Sequence, residues 1–315
     1  MNNAEKLIVT ASPHIYSTET VAKIMWTVVI ALLPAGGIGV VLFGTRALWV
    51  IAVAIAVAGG TEVIIQRLRN KSATIYDGSA VLAGLLLAYN LPPGIPLWMV
   101  ALGAVAAIGF GKHIFGGLGH NLFNPALIGR VFLLASFPQE MTAFSAPWAV
   151  DGIARPTPLG IVKEKGIQVL NISYGDLFIG NRGGCIGEVC ILALILGAIY
   201  LLYKGYISWH IPLSFISTGG FLVWVYGGKG IFSGDIIFHI LSGGLILGAF
   251  FMATDYVTSP LTNKGKLIFG TGCGALTAVI RLWGGYPEGV SYAILIMNAF
   301  TPLIDKFTTP KKFGR

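Results

Sequence analysis

GGLGHNLFNPALIGRVF at residues 116–132 and GGYPEGVSYAILIMNAF at residues 284–300 share a glycine pair followed, at the same interval, by an apolar run ending in phenylalanine. Upstream of each lies a second matching pair, GLLLAY at 84–89 and GLILGA at 244–249, each followed by an aromatic or polar break and then proline. Two matches in the same order point to an internal repeat. Apolar runs near 21–43, 47–66, 77–91, 95–113 and 122–137 precede the midpoint, and runs near 186–203, 207–226, 236–254, 266–283 and 289–304 follow it. Many approach the length a bilayer span needs, about 17–25 residues. The expectation is an all-α integral membrane protein of about ten transmembrane helices. Because five spans is an odd number, the two halves must insert with opposite topology, which brings broken helices together near the membrane midplane.

Composition agrees. The chain has 315 residues, 55% of them hydrophobic and only 11% charged, with 43 glycines and a mean hydropathy of +0.78, too apolar for an ordinary soluble domain. The net charge of +8 does not indicate a nucleic-acid partner, because the basic residues stand singly between apolar runs. They set orientation instead. With the N-terminus inside, thirteen Lys and Arg fall on the cytoplasmic side, among them Lys71, Lys112 and Lys264, and seven on the other, including Arg46, Lys163, Arg182 and Arg281. Both termini are then cytoplasmic, and the hydrophilic loop faces outward. Three units follow: a first five-helix repeat (1–137), an extracytoplasmic loop (138–185) and a second repeat (186–315). Cys185, Cys190 and Cys273 make no metal-ligand or disulfide pattern, and are read as small buried residues.

Charges within apolar spans are costly, so each suggests function. Glu62, Asp77, Arg130, Glu188, Asp255 and Asp305 lie in or at the ends of such runs, and Asn90, Asn124 and Asn298 stand at Gly- or Pro-flanked points. An acid at a helix end is often merely wet. Arg130 is different, because it lies about halfway along the fifth span and needs an anionic partner. That partner is an acid on another helix, a bound phosphate or an electron-rich ring, all of which a guanidinium fork suits. GFGKHIFGG at 109–117 reads as a helix-packing stretch.

In the outward loop, DGIARPTPLGI at 151–161 sets Thr157 between two prolines. Proline fixes φ and pushes the preceding residue away from helix, so Thr157 is expected on a stiff extended tether. Three readings of its hydroxyl stay open: an ordinary solvated loop, a glycosylation site, or covalent attachment of a cofactor. No N-x-[ST] sequon includes it.

YDGSAVLAGLLLAYNLPP, GGLGHNLFNPALIGRVFLLASFP, DGIARPTPLG, GGCIGEVC, FFMATDYVTSP and YPEGVSYAILIMNAFTPLID, in that order along nearly the whole chain, resemble the RnfD/NqrB family. Its members are membrane subunits of Rnf complexes and of the Na+-translocating NADH:quinone reductase. The resemblance implies an electron-carrying flavoprotein of the bacterial inner membrane. It would belong to a redox-driven Na+ or H+ pump linking ferredoxin and NAD+, beside the A, E and G membrane subunits and the B and C subunits of an Rnf complex, in contact with lipid. It also implies FMN bound to Thr157 by a phosphoester that a flavin transferase installs. Ala154-Arg155-Pro156 stands where the family has Ser-Gly-Ala, and this departure brings Arg155 close to the phosphate. Arg130 and Asn124 join Thr157 and Arg155 as expected cofactor-binding residues. A non-covalent riboflavin, also implied, is placed between segments 77–93 and 242–260. The rival expectation is an inverted-repeat transporter without redox cofactor, with Asp77, Asp255 and Asn124 coordinating a solute.

Overall fold

The computed structural model describes residues 19–71, 74–148, 157–165, 173–228 and 230–310. Among them there is no strand, and every expected apolar run is helical over most of its length. In the first half the helices are α1 (Val21–Phe43), α2 (Thr45–Leu68), α3 (Ser79–Tyr89), α4 (Leu97–Ile108) and α5 (Pro125–Ser136). Three short helices follow: α6 (Pro138–Thr142), α7 (Pro158–Lys165) and α8 (Tyr174–Ile179). The second half holds α9 (Ile191–Tyr203), α10 (His210–Tyr226), α11 (Ile236–Leu241), α12 (Leu245–Leu247), α13 (Asn263–Trp283) and α14 (Val290–Thr308).

Among the described residues three helices, α1, α2 and α13, are long and apolar enough to cross a membrane unaided. Others are shorter or broken, for identifiable reasons. The run expected at 236–254 divides at Ser242–Gly244, where Gly243 takes φ +67°, and then winds through a π-helical turn at Gly248–Met252. Asn90, Leu91, Pro92 and Pro93 end α3, as proline must when it removes a donor. GLLLAY therefore closes a helix, whereas GLILGA opens one after a break.

Some helix pairings of the first half have a counterpart in the second. α2 packs on α4 and α10 on α13, while α4 packs on α5 and α13 on α14. Across the middle, α1 lies against α9 and α5 against α14. The α1–α9 approach depends on Gly197, where a Cβ would stand 2.2 Å from the Ala31 carbonyl oxygen. Small residues let helices meet this closely inside a membrane, where packing rather than hydrophobic exclusion drives association.

The segment before α9 runs along the broken end of α3. Ile186 N donates to Leu91 O and Gly187 N to Tyr89 O, each at 3.1 Å. These bonds satisfy backbone groups that no helix satisfies. Tyr89 is buried against this segment and donates its hydroxyl to Leu32 O at 2.8 Å. The three cysteines are free and buried, as packing residues should be.

Candidate functional site

Two polar regions lie between the halves. The first gathers five charged side chains and is built by breaks in helices. Arg130, one turn into α5, donates to Asn90 Oδ1 (2.7 Å), to Ser291 Oγ (3.0 Å) and to the carboxylate of Glu288, which precedes α14. Of the partners that the sequence left open, an acid on another segment is the one present. Glu188 lies alongside, with Oε1 accepting from Cys185 N (3.1 Å), and the ligand atoms of Cys185, Glu188 and Glu288 fall within 4.8 Å of one another. Arg182 donates to Glu188 O (3.0 Å), and Arg281, in the last turn of α13, donates to His239 O and to Ser242 O (3.0 Å). Both arginines were read as external topology charges, yet both are buried. Removing them from the external tally leaves the charge bias pointing the same way.

This region holds unspent capacity. Among the described residues Arg182 Nε and Nη1, Arg281 Nε, Glu188 Oε2 and Glu288 Oε1 are buried without a partner. Unpaired polar atoms of this kind are rare unless something polar is meant to meet them.

Leu159, two residues after Thr157, comes close to this cluster, since a Cβ at Gly243 would stand 2.8 Å from Leu159 Cδ1 and 3.2 Å from Arg281 Nη2; the setting of Thr157 itself differs from the expected extended tether. It is 6% exposed, and Pro158 begins α7 rather than a stretched loop. Gly160 N donates to Thr157 Oγ1 at 3.2 Å, so the threonine caps the helix. Proline at the first helical position supplies the right φ and needs no donor there, and threonine is a good N-cap; together they favour a helix start over a tether. The segment is also packed, because Leu159 buries itself with Leu177 and Phe238. Lys163 ties α7 to the turn before α14, donating to Tyr286 O (2.9 Å) and Ile280 O (3.3 Å), and partial burial lowers its pKa. Arg155 lies outside the described residues.

Next to α7's anchor is a hollow lined by Arg130, Phe144, Tyr286, Glu288, Ser291 and Tyr292. The Tyr286 and Tyr292 rings stack across it, with centroids 5.6 Å apart.

The second region is a cleft of about 80 Å3 on the side of the molecule where Lys112 and Asp77 lie. Ser79, Leu82, Ala83 and Leu86 of α3 face Phe250, Phe251, Thr254 and Asp255 across it, so its walls come from the two segments between which riboflavin was expected. Asn124 stands at its base. The Asn124 Oδ1 caps α5 through Ala126 N (3.0 Å) and Leu127 N (3.4 Å), Nδ2 donates to Met252 O (3.2 Å), and the backbone N donates to Asn298 Oδ1 (3.2 Å). Asn124 thus fastens the halves together. The neighbouring Asn121 has a buried Oδ1 without a partner, and it lines the same cleft.

Asn124 and Asp255 share this cleft, whereas Asp77 reaches it only through Ser79, which donates to it by both N (2.8 Å) and Oγ. Sequence reading also missed Lys112, taken for a cytoplasmic surface charge. It is 2% exposed and pairs with Glu62 at 2.7 and 2.8 Å. The signal was present, since Lys112 sits inside an apolar run between glycines; those glycines permit the π-helical turn Gly109–His113 that carries it.

Fold and sites together define a helical membrane protein with polar chambers among its helices. A profile of the NQR2, RnfD, RnfE family matches residues 8–314, and the chain belongs to that family. It is 53% identical to the D subunit of the proton-translocating ferredoxin:NAD(+) oxidoreductase complex of Clostridium ljungdahlii, over 97% of this chain and 96% of the relative. It is 46% identical to the D subunit of the Na(+)-translocating ferredoxin:NAD(+) oxidoreductase complex of Acetobacterium woodii, over 99% and 96%. The D subunit of the ion-translocating oxidoreductase complex of Escherichia coli is 37% identical over 97% and 98%.

Proposed function

We propose that this chain is an electron-carrying membrane subunit of an ion-translocating ferredoxin:NAD+ oxidoreductase, holding FMN on Thr157 and a non-covalent riboflavin in the cleft. The observation that carries the reading is end-to-end kinship with proteins named as the D subunits of such complexes. In this reading the halves are inverted repeats spanning the bacterial inner membrane about ten times, with both termini cytoplasmic and α7 outside. The matched packing of α2 on α4 and α10 on α13 supports the repeat. The partners are the A, E and G membrane subunits and the B and C subunits of the complex, with a flavin transferase for maturation.

The chain's residues suit both flavins. The positive end of a helix dipole favours an anion, and the Thr157 hydroxyl sits at the N-terminus of α7. Arg182 and Arg281 carry unpartnered guanidinium nitrogens for negative charge, with Arg155 a further candidate from sequence. Arg130 with the stacked Tyr286 and Tyr292 offers a lined hollow for a ring. Because Thr157 is buried, its hydroxyl becomes available to a transferase only before α7 seats. In the cleft, Asn121 supplies an unspent acceptor and Leu82, Leu86 and Phe250 supply apolar walls. When bound, the flavins supply one- and two-electron chemistry, and the protein fixes their position and surroundings. The test is the flavin content of the purified chain after denaturation. One flavin that stays with the polypeptide and one that is released agree with the proposal, and a colourless protein in an active complex contradicts it in favour of the transporter reading.

A further inference from the structure

Among the described residues, the cleft's one basic wall group is tied to the molecular surface by a chain of hydrogen bonds. Lys112 Nζ donates to Ser79 Oγ at 2.6 Å, and Ser79 Oγ donates to Asp77 Oδ1. Lys112 and Ser79 both line the cleft. Asp77 is half-buried in a single helical turn (Ile75–Asp77) before α3, next to Tyr76, which is 86% exposed. The chain therefore starts at solvent and ends in the chamber.

Glu62 holds the far side of Lys112. Its Oε1 also accepts from Gln66 Nε2 (3.1 Å) and Thr74 Oγ1 (3.3 Å), and the residue is fully buried. Stability is a weak reason for such a pair, since apolar replacement of a buried ion pair is often neutral or stabilising. Its position gives a better one. The other charged or titratable groups near Lys112 are His113 on its own turn, Arg69 and Lys71 at the end of α2, and Asp255, Tyr206 and Tyr256 across the cleft. Neither tyrosine nor Asp255 is joined to Lys112 by a hydrogen bond among the described residues, so Ser79 is its route to Asp77 and the surface.

We propose that Asp77, Ser79 and Lys112 form a proton-delivery chain from this face of the protein into the cleft, with Lys112 as the donor to the cleft's ligand. The inference rests on the reading of the cleft as a riboflavin site. The ligand takes two electrons, one at a time, from a one-electron carrier of the complex; one Lys112 N–H leaves Glu62 Oε2, turns into the cleft and breaks. The bonding pair stays on Nζ, and the proton joins a nitrogen of the ligand ring. Asp77 then takes a proton from water, the Ser79 hydroxyl turns from Asp77 to the neutral Lys112 Nζ, and Ser79 passes its proton to Nζ as it receives one from Asp77, after which the hydroxyl turns back to the arrangement in the structure. One solvent proton enters for each one delivered. Glu62 keeps Lys112 in place.

The experiment uses the intact complex, reduced rapidly by a photochemical donor. Proton uptake is read from a pH-indicator dye and ligand reduction from its visible absorption. Ser79→Ala and Asp77→Asn are expected to slow proton uptake at least tenfold while the first electron arrives at the wild-type rate, and Ser79→Thr, which keeps the hydroxyl, restores it. The double variant Lys112→Met/Glu62→Gln leaves no orphaned charge and is expected to show the same slowing. Separately, Asn121→Ala is expected to lower the content of released flavin while the polypeptide-linked flavin remains. If Asn121→Ala loses the flavin but all relay variants take up protons at the wild-type rate, the relay is wrong and the cleft assignment stands. If the flavin is also retained in Asn121→Ala, both are overturned.

Discussion

Replacing Arg130 by alanine removes three contacts at once and leaves a carboxylate behind. The guanidinium is 8% exposed at its side chain and bonds Asn90 Oδ1, Ser291 Oγ and Glu288, whose own side chain is 13% exposed. Breaking a buried pair from one side costs about 3–5 kcal/mol, mostly because the remaining charge is stranded. Glu288 Oε1 already lacks a partner, and the unpartnered nitrogens of Arg182 and Arg281 would have to leave their present positions to reach the stranded carboxylate, so a cost within that range is expected. The assay is reversible unfolding in mixed micelles, comparing Arg130→Ala, Glu288→Gln and the double variant. Glu288→Gln in the Arg130→Ala background should recover more than half of the loss, because the amide removes the stranded charge. Arg130→Lys should recover only part, because one ammonium cannot reproduce the fork that reaches Asn90, Ser291 and Glu288 together. A loss under about 1 kcal/mol for Arg130→Ala, the range of a solvated pair, would refute the reasoning.

Gly187→Ala should be more damaging than Tyr89→Phe. A Cβ at Gly187 would stand 2.2 Å from Tyr89 Cγ, an overpacking worth about 1–3 kcal/mol, whereas losing the Tyr89 hydroxyl bond to Leu32 O costs about 1 kcal/mol; the same unfolding assay ranks them. For topology, a cysteine at position 163 should be labelled by a membrane-impermeant thiol reagent from outside the cell, and cysteines at 71 and 264 only after the membrane is opened. Labelling of position 163 from the cytoplasmic side alone would invert the orientation and move α7 indoors.

Helix content was legible because apolar runs are long and glycine, proline and asparagine mark their breaks. Asn124 ahead of Pro125 is such a mark, and it does cap α5. What sequence could not supply was partnership across the fold. Arg130 announced a need for an anion, yet Glu288 lies 158 residues away and reads locally as a loop acid. Lys112, Arg182 and Arg281 were counted as surface charges because a single basic residue near a span end looks the same whether it faces water or a buried carboxylate or carbonyl. Thr157 shows the opposite failure. Two prolines suggested an extended tether, but Pro158 is as well suited to a helix's first position, and the burial of Leu159 with Leu177 and Phe238 decides between them.

The central claim is that Thr157 carries FMN, and peptide mass mapping of the active complex tests it most directly. Trypsin cleaves poorly before proline, so the Arg155–Pro156 bond survives and Thr157 lies in the peptide from Val131 to Lys163. The account predicts this peptide at its sequence mass plus one FMN less water, with fragmentation placing the addition on Thr157 and with Thr157→Ala abolishing it. The same peptide found wholly at its unmodified mass, in complex that turns over at full rate, would contradict the account.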